Sequence, residues 1–361
     1  MRRSFKWLDV DWVMLGSAMV LSAIGILIIR SAAGSGGASV FAERQAYWLG
    51  IALAAYLVGY FVDRRHLRRS AYVLYALVLL ALVALMLVGR LQGGVHRWIH
   101  VGGMTFQPSE LAKLTLILCL ARYFHKIKAK PPLGITEILI PFLLVAGYAI
   151  PVALQPDLGT AMFLVLLSVP LFLMMGLERP TVISLTIIAA MVAPIMFFSL
   201  KDYQRERILN FLSPGRDPLG TGYHVVQSKI AIGSGGLFGK GYLQGTQSQL
   251  QFIPEQHTDF IFSVLAEEFG FAGVLVVIGL LLFISLWMLS YLEVAKTKFA
   301  VLTVVGITCG FALQSVINIA MVAGILPVVG LPLPLISYGG SSLVTTFLGL
   351  GIVAGYRRRR T

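Results

Sequence analysis

An all-α integral membrane protein of about ten transmembrane helices is what this sequence predicts, and three observations carry that prediction. Hydrophobic residues make up 57% of the 361 and charged residues only 12%, with a mean hydropathy of +0.84. That composition leaves too little polar surface to cover a water-soluble globule. Apolar runs of about 18 residues or more recur along the chain, and each is long enough, at 1.5 Å rise per residue, to cross a hydrocarbon core of roughly 30 Å. The runs are continuous rather than alternating, which excludes a membrane β-barrel.

The runs fall at residues 12–30, 45–62, 71–90, 107–124, 135–154, 157–176, 181–199, 262–290, 299–322 and 334–355. The first follows Arg2, Arg3 and Lys6 but is too long for a signal peptide and lacks a small-residue cleavage site after it, so it is expected to be a retained span. Further basic groups follow even-numbered spans: Arg64, Arg65, Arg68 and Arg69; Arg122, Lys126, Lys128 and Lys130; Arg179; Lys296 and Lys298; and Arg357 to Arg360. If spans alternate, all of these face one side, which the positive-inside rule makes cytoplasmic. Both termini then lie in the cytoplasm. The net charge of +13 is accounted for by this placement, and nucleic acid is not needed to explain it. Cys119 and Cys309 lie inside apolar runs and read as small buried side chains rather than a disulfide.

The same alternation puts five connections on the outer side: 31–44, 91–106, 155–156, 200–261 and 324–333. Only 200–261 is long. Loops of that length are functional or disordered as a rule, and this one argues for order, because YHVVQSKIAI and YLQGTQSQLQFI carry apolar residues between turn signals such as SPGRDPLGTG and GSGGLFGKG. Short amphipathic helices along the outer face are expected. The chain reads as one polytopic domain, 1–361, with this large extracytoplasmic loop inside it.

Polar groups stand where a bilayer disfavours them. Glu110 and Lys113 in FQPSELAKL are three apart near the start of the fourth span, on one helix face where carboxylate and ammonium can pair. A purely structural ion pair is the rival reading. Asp157 in LQPDLGTA opens the sixth span, as a helix N-terminal acid or as a site residue. Arg97 precedes Trp98 in an outer loop and suits an anionic head group, while the Trp suits an interfacial anchor. In GILPVVGLPLPLISYGGSS, Pro327, Pro332 and Pro334 precede Ser337, Tyr338 and the Gly-Gly-Ser-Ser run; such broken backbone is tolerated at membrane depth where a polar cavity satisfies it, or it serves close helix packing. The stretch from Tyr223 to Gly270, the core of that loop and the start of the span after it, holds Glu255, His257, Asp259, Glu267 and Glu268. Topology brings all of these to the outer half of the bilayer.

His257 has no second histidine at ligand spacing in the loop, and neither HExxH nor GxSxG occurs, so a zinc site or a hydrolytic triad is poorly supported. A carboxylate at a membrane cavity rimmed by Lys113, Arg205, Arg207, Lys229 and Lys240 suits an anionic, lipid-linked substrate. A sugar joined to lipid through pyrophosphate already carries a good leaving group. The protein then needs only to deprotonate an attacking hydroxyl and neutralise the charge developing on the pyrophosphate.

The segments DPLGTGYHVVQSKIAIGSGGLFGKG, GTQSQLQFIPEQHTDFIFSVLAEEFG, RWI, QPSELAK, QPDLGT and NIAMVAGILPVVGLPLPLISYGGSS together resemble the SEDS family of shape, elongation, division and sporulation proteins. The resemblance covers essentially the whole chain and is closer to the rod-shape branch than to the division branch. It implies a peptidoglycan glycosyltransferase that polymerises lipid II at the outer face of the bacterial cytoplasmic membrane. By resemblance, Asp259 of HTDF is the essential aspartate of the loop, Glu110 and Lys113 are the intramembrane acid and base, and Asp157 is the acid of QPDLGT. Arg97, Arg205, Arg207, Lys229, Lys240 and Ser337 are taken with them as substrate-binding. The expected partners are a class B penicillin-binding protein supplying transpeptidation, the elongation machinery and membrane lipids, and a divalent cation, Mg2+ or Mn2+, is a candidate cofactor. A lipid II flippase is the rival function, though it would need polar residues through the full bilayer depth, and the inner halves of most spans are apolar. A noncatalytic scaffold leaves Glu110 and Lys113 unexplained.

Overall fold

Helices stand at all ten predicted places: α1 (Trp12–Ala32), α2 (Gly34–Phe61), α3 (Arg64–Leu91), α4 (Pro108–Lys126), α5 (Ile135–Leu154), α6 (Leu158–Met175), α7 (Arg179–Ser199), then α11 (Ile261–Ser290), α12 (Lys298–Val322) and α13 (Gly340–Ala354). Between α7 and α11 lie three shorter ones: α8 (Asp202–Leu212), α9 (Thr221–Ser234) and α10 (Thr246–Gln249). The computed structural model describes residues 10–91, 97–101, 104–129, 131–199, 202–212, 221–250, 252 and 256–357. Arg2, Arg3, Lys6, Lys130, Glu255 and Arg358 to Arg360 lie outside that set. Among the described residues, α1, α3, α5, α6, α11 and α12 are long and apolar enough to cross a membrane by length and composition. The protein is an all-α integral membrane protein.

Several boundaries move for reasons that can be named. The expected connection 31–44 is helical, with only Ala33 separating α1 from α2, because the chain there is bound from outside: Gln249 Nε2 donates to Ser31 O at 3.3 Å, and Gln256 Nε2 donates to Ala32 O. The last span starts late, at Gly340, since Pro327, Pro332 and Pro334 hold the preceding stretch out of helix. α11 is broken at Gly270 (φ 62°, ψ −162°), a backbone position that suits glycine. A short antiparallel hairpin, β1 (Ile99–Val101) with β2 (Met104–Phe106), precedes α4 in register Ile99 to Phe106.

Caps fix several helix ends. Asp11 accepts from Met14 N at 3.0 Å to start α1 and also takes the Trp287 indole N–H at 2.9 Å and the Tyr291 hydroxyl, tying α1 to α11. Pro108 stands in the first turn of α4. The core is continuous between the helices. Leu116, Leu120 and Phe124 of α4 are fully buried, as are Phe163 and Leu167 of α6 and Val304 of α12. The α2 and α13 backbones approach closely: a Cβ on Gly351 would lie 2.1 Å from Tyr56 O, so only glycine permits that approach.

Candidate functional site

One end of the helix assembly opens into a cavity of about 780 Å³. Its wall is drawn from the segment before β1, the start of α4, the α5–α6 turn, α8, the segment before α11, and the stretch between α12 and α13. Arg97, Glu110, Asp157, Arg207 and Asp259, all singled out from sequence, line it together.

The backbone around Asp259 is held from three sides. Asn318 Nδ2 of α12 donates to Asp259 O at 3.0 Å and to Leu331 O at 2.7 Å. Ser337 Oγ donates to Thr258 O at 2.7 Å, and Tyr338 N donates to His257 O at 2.9 Å. These bonds clamp the segment before α11 against the proline-rich segment before α13. The stretch 331–338 is therefore kept out of helix with its backbone groups satisfied by protein, as burial requires. Gln45 of α2 completes the clamp, donating to Ser337 O and accepting from Gly339 N, each at 3.2 Å. His257 packs between the rings of Phe41 (4.6 Å) and Tyr338 (5.8 Å), consistent with a structural histidine.

Glu110 and Lys113 are both buried and paired at 2.8 Å. The Lys113 ammonium also donates to Gln314 Oε1 at 2.9 Å and lies 5.4 Å from the Phe163 ring centre, while Gln314 Nε2 donates to Pro332 O at 2.8 Å. The pair thus reaches both α12 and the proline-rich segment. Asp157 caps α6 by accepting from Thr160 N at 3.2 Å and also lines the cavity. Arg97 is aimed by two carbonyls at the α5 C-terminus, Gln155 O (2.8 Å from Nε) and Pro156 O (2.5 Å from Nη2). On α9, burial and then the charge of Arg207 from α8 hold His224 below the usual histidine range.

Four of the predicted residues are placed elsewhere. Lys240 pairs with Glu267 at 2.8 Å and donates to Thr246 Oγ1 at 2.8 Å. Glu267 in turn accepts from Gln247 N (2.9 Å) and Ser248 N (3.2 Å), so this group locks α10 onto α11 rather than facing the cavity. Both functions of the Ser337 hydroxyl are taken by backbone, Thr258 O and Leu333 N, which makes it a strut. Arg205 turns back to Phe198 O (3.0 Å) and the Phe197 ring. Lys229 is exposed on α9 and lies against Gly324. Charge was the signal for Lys240, Arg205 and Lys229, and charge alone does not give direction.

Gln107, Gln204 and Thr258 on the cavity wall went unnoticed, while Ser341 and Ser342, which also line it, belong to the Gly-Gly-Ser-Ser run already singled out. Gln107, the N-cap of α4, makes no side-chain capping bond, and its N–H donates to Ser341 Oγ at 2.9 Å, joining α4 to α13. Gln314 and Asn318 were legible in principle, because two amides four apart in an apolar span share one helix face.

The profile of the family described as cell cycle proteins FtsW, RodA and SpoVE matches residues 3–361. The peptidoglycan glycosyltransferase MrdB of Escherichia coli K12 is 40% identical over 357 residues, covering 97% of this chain and 94% of that protein. The peptidoglycan glycosyltransferase RodA of Treponema pallidum is 31% identical over 433 residues, covering 98% of each. Among solved structures, a chain from work on coordination of polymerization and crosslinking by a peptidoglycan synthase complex superposes with a TM-score of 0.82 at 35% identity, covering 98% of this chain and 99% of that one. The crystal structure of the rod shape determining protein RodA of Thermus thermophilus gives 0.71 at 31% identity, covering 98% and 99%.

Proposed function

This chain belongs to the FtsW, RodA and SpoVE family and is a peptidoglycan glycosyltransferase, and from that premise we propose that the cavity at Asp259 is where lipid II is polymerised, with its mouth on the outer side of the cytoplasmic membrane. The observation that carries the reading is the convergence of Glu110, Asp157 and Asp259 with Arg97 and Arg207, from five separate segments, on one cavity wall. Orientation follows from the basic residues at the opposite end, Arg64 to Arg69, Arg122 to Lys128, Lys296 and Arg357, which the positive-inside rule assigns to the cytoplasm.

In the transfer, the 4-hydroxyl oxygen of an acceptor lipid II attacks the anomeric carbon of the growing chain. The new C–O bond forms as the bond to undecaprenyl pyrophosphate breaks, with inversion at that carbon. Asp259 takes the hydroxyl proton or positions the acceptor. Arg97 and Arg207 meet the charge developing on the pyrophosphate, and Lys113, buried beside Glu110, adds positive potential from beneath. Among the described residues no three His, Cys, Asp or Glu side chains form a cluster able to hold a metal alone. Mg2+ or Mn2+ still suits the oxygen donors present, because such ions are commonly held by one or two carboxylates together with substrate phosphates. Bound there by Asp259, the ion would neutralise leaving-group charge.

Beneath Glu110 and Lys113 the lining passes to Leu114, Ile117, Phe163, Leu167 and Leu350. That apolar floor favours chemistry at one face over passage of a polar head group. The transpeptidation that crosslinks the product is assigned to a class B penicillin-binding protein of the elongation machinery. Purified protein assayed for lipid II polymerisation, with and without that partner and a divalent cation, tests the reading. Glycan chains should form with the partner present; transport of lipid II across vesicles with no polymerisation under any condition would reverse it.

A further inference from the structure

At the end of the molecule opposite Asp259, a second cavity of about 490 Å³ is walled by the first turns of α3, the turn and first residues leading into α12, and Tyr356 just past α13. Its charge is one-sided. Arg64, Arg65, Arg68 and Lys296 line it with Glu293 as the one carboxylate among its described lining residues. Arg64 forms the floor: its guanidinium donates to Gly59 O (3.2 Å) and Tyr60 O (3.4 Å) at the end of α2 and stacks 4.7 Å from the Tyr356 ring centre. Arg68 Nη1 stands 2.9 Å from His125 Nε2, which must be the acceptor because a guanidinium has none to offer. Arg65, Arg68 and Lys296 make no ion pair among the described residues.

The backbone adds to this potential instead of offsetting it. Two helices, α3 and α12, present their N-termini here: α3 is capped by Asp63, whose Oδ1 accepts from Arg65 N at 2.7 Å, and α12 by the neutral Thr297, whose hydroxyl accepts from Ala300 N at 3.2 Å. A helix N-terminus carries roughly half a positive charge and favours an anion. The Asp63 carboxylate offsets that charge at α3, whereas the α12 end, with Lys296 and Lys298 beside it, has no acidic residue in its first turn and favours an anion.

We propose that this cavity binds a phosphate-bearing anion, supplied by the head group of an anionic phospholipid. The shape fits that source: Val73, Leu77 and Leu80 are exposed farther along the apolar helix α3 and offer acyl chains a path beside the cavity. Basic pockets between helix ends at the cytoplasmic surface are suited to such head groups, each cation contributing enough to change affinity about five-fold.

The test uses the full chain in detergent, with thermal stability and lipid retention in native mass spectrometry read for added phosphatidylglycerol, phosphatidylcholine or inorganic phosphate. Phosphatidylglycerol should raise the melting temperature and be retained over phosphatidylcholine. Arg65→Gln with Lys296→Gln should weaken that retention by roughly 25-fold, whereas Lys128→Gln, exposed at the same end but outside the cavity wall, should leave it unchanged. Protection by phosphatidylglycerol alone identifies the lipid head group; added protection by inorganic phosphate identifies a soluble anion as a second source for the same site. Equal effects of the two lipids, or equal losses from the Lys128 variant and the double variant, would overturn the proposal.

Discussion

Asp259 concentrates the chemistry of the proposed reaction in one carboxylate, and its surroundings separate that role from folding. The bonds that hold its segment run to backbone carbonyls at positions 258 and 259 and to the amide at 338, so its side chain can be changed without removing them. Asp259→Asn is therefore expected to insert normally, to bind its partner and to lose about 10² to 10⁴ in polymerisation rate, the usual cost of one general base. Full activity in a lipid II polymerisation assay would sink the assignment. Glu110 and Lys113 behave differently because they are buried and paired with each other. Removing one partner of such a pair costs about 3–5 kcal/mol, whereas replacing both by apolar residues of similar volume is often neutral. If the pair served only packing, Glu110→Leu with Lys113→Met would restore both thermal stability and activity. The site role predicts recovered stability with activity still lost.

At the scale of elements, the long loop is built on two adjacent acids rather than on its own hydrophobic core. Glu267 collects the Lys240 ammonium, the Thr246 hydroxyl and the amides of Gln247 and Ser248 at the N-terminus of α10. Glu268, next to it, takes the Ser31 hydroxyl from the end of α1. Glu267→Ala would take the partner from the half-buried Lys240 ammonium and from two amides, so residues 240–250 should lose hydrogen-exchange protection while α4 and α12 keep theirs; unchanged protection would show that the lock is dispensable. Asn318 plays the matching part beneath the cavity. Its replacement by Ala leaves the carbonyls of Asp259 and Leu331 without that donor, an expected loss of about 1–3 kcal/mol. Polymerisation should fall more than melting temperature, because the segment that moves carries Asp259.

For the whole molecule the decisive question is which end faces out. Gly245 is buried, and a Cβ there would come within 2.8 Å of Glu267 Oε2, so a cysteine reporter belongs at the exposed Gln244 instead. Gln244→Cys should react with an impermeant maleimide in intact cells, and Lys128→Cys only after the membrane is opened. The reverse pattern would invert the topology. Association with a transpeptidase is expected through lipid-facing side chains. α11 exposes Phe271, Leu275, Leu282 and Leu286, whereas α12 is enclosed along most of its length, so α11 rather than α12 is available for that contact. Copurification after mild solubilisation should survive in wild type and weaken on Leu275→Arg with Leu282→Arg.

The sequence by itself determined the membrane class, the ten helix positions and five cavity residues. The physical reason is that the bilayer imposes a length and polarity on every span, and Glu110, Lys113 and Asp157 violate that rule visibly. Family motifs supplied Asp259 in the same way. Tertiary structure alone decided direction. Lys240 and Ser337 look like site residues in the chain, yet one is turned to Glu267 and the other is consumed by Thr258 O and Leu333 N. Gly34 and its neighbours read as a loop until Gln249 and Gln256 are seen binding the carbonyls that end α1. Side-chain direction and the partners of buried amides depend on contacts between separate elements, from 27 residues apart for Lys240 with Glu267 to 292 for Gln45 with Ser337, and local pattern carries no record of them.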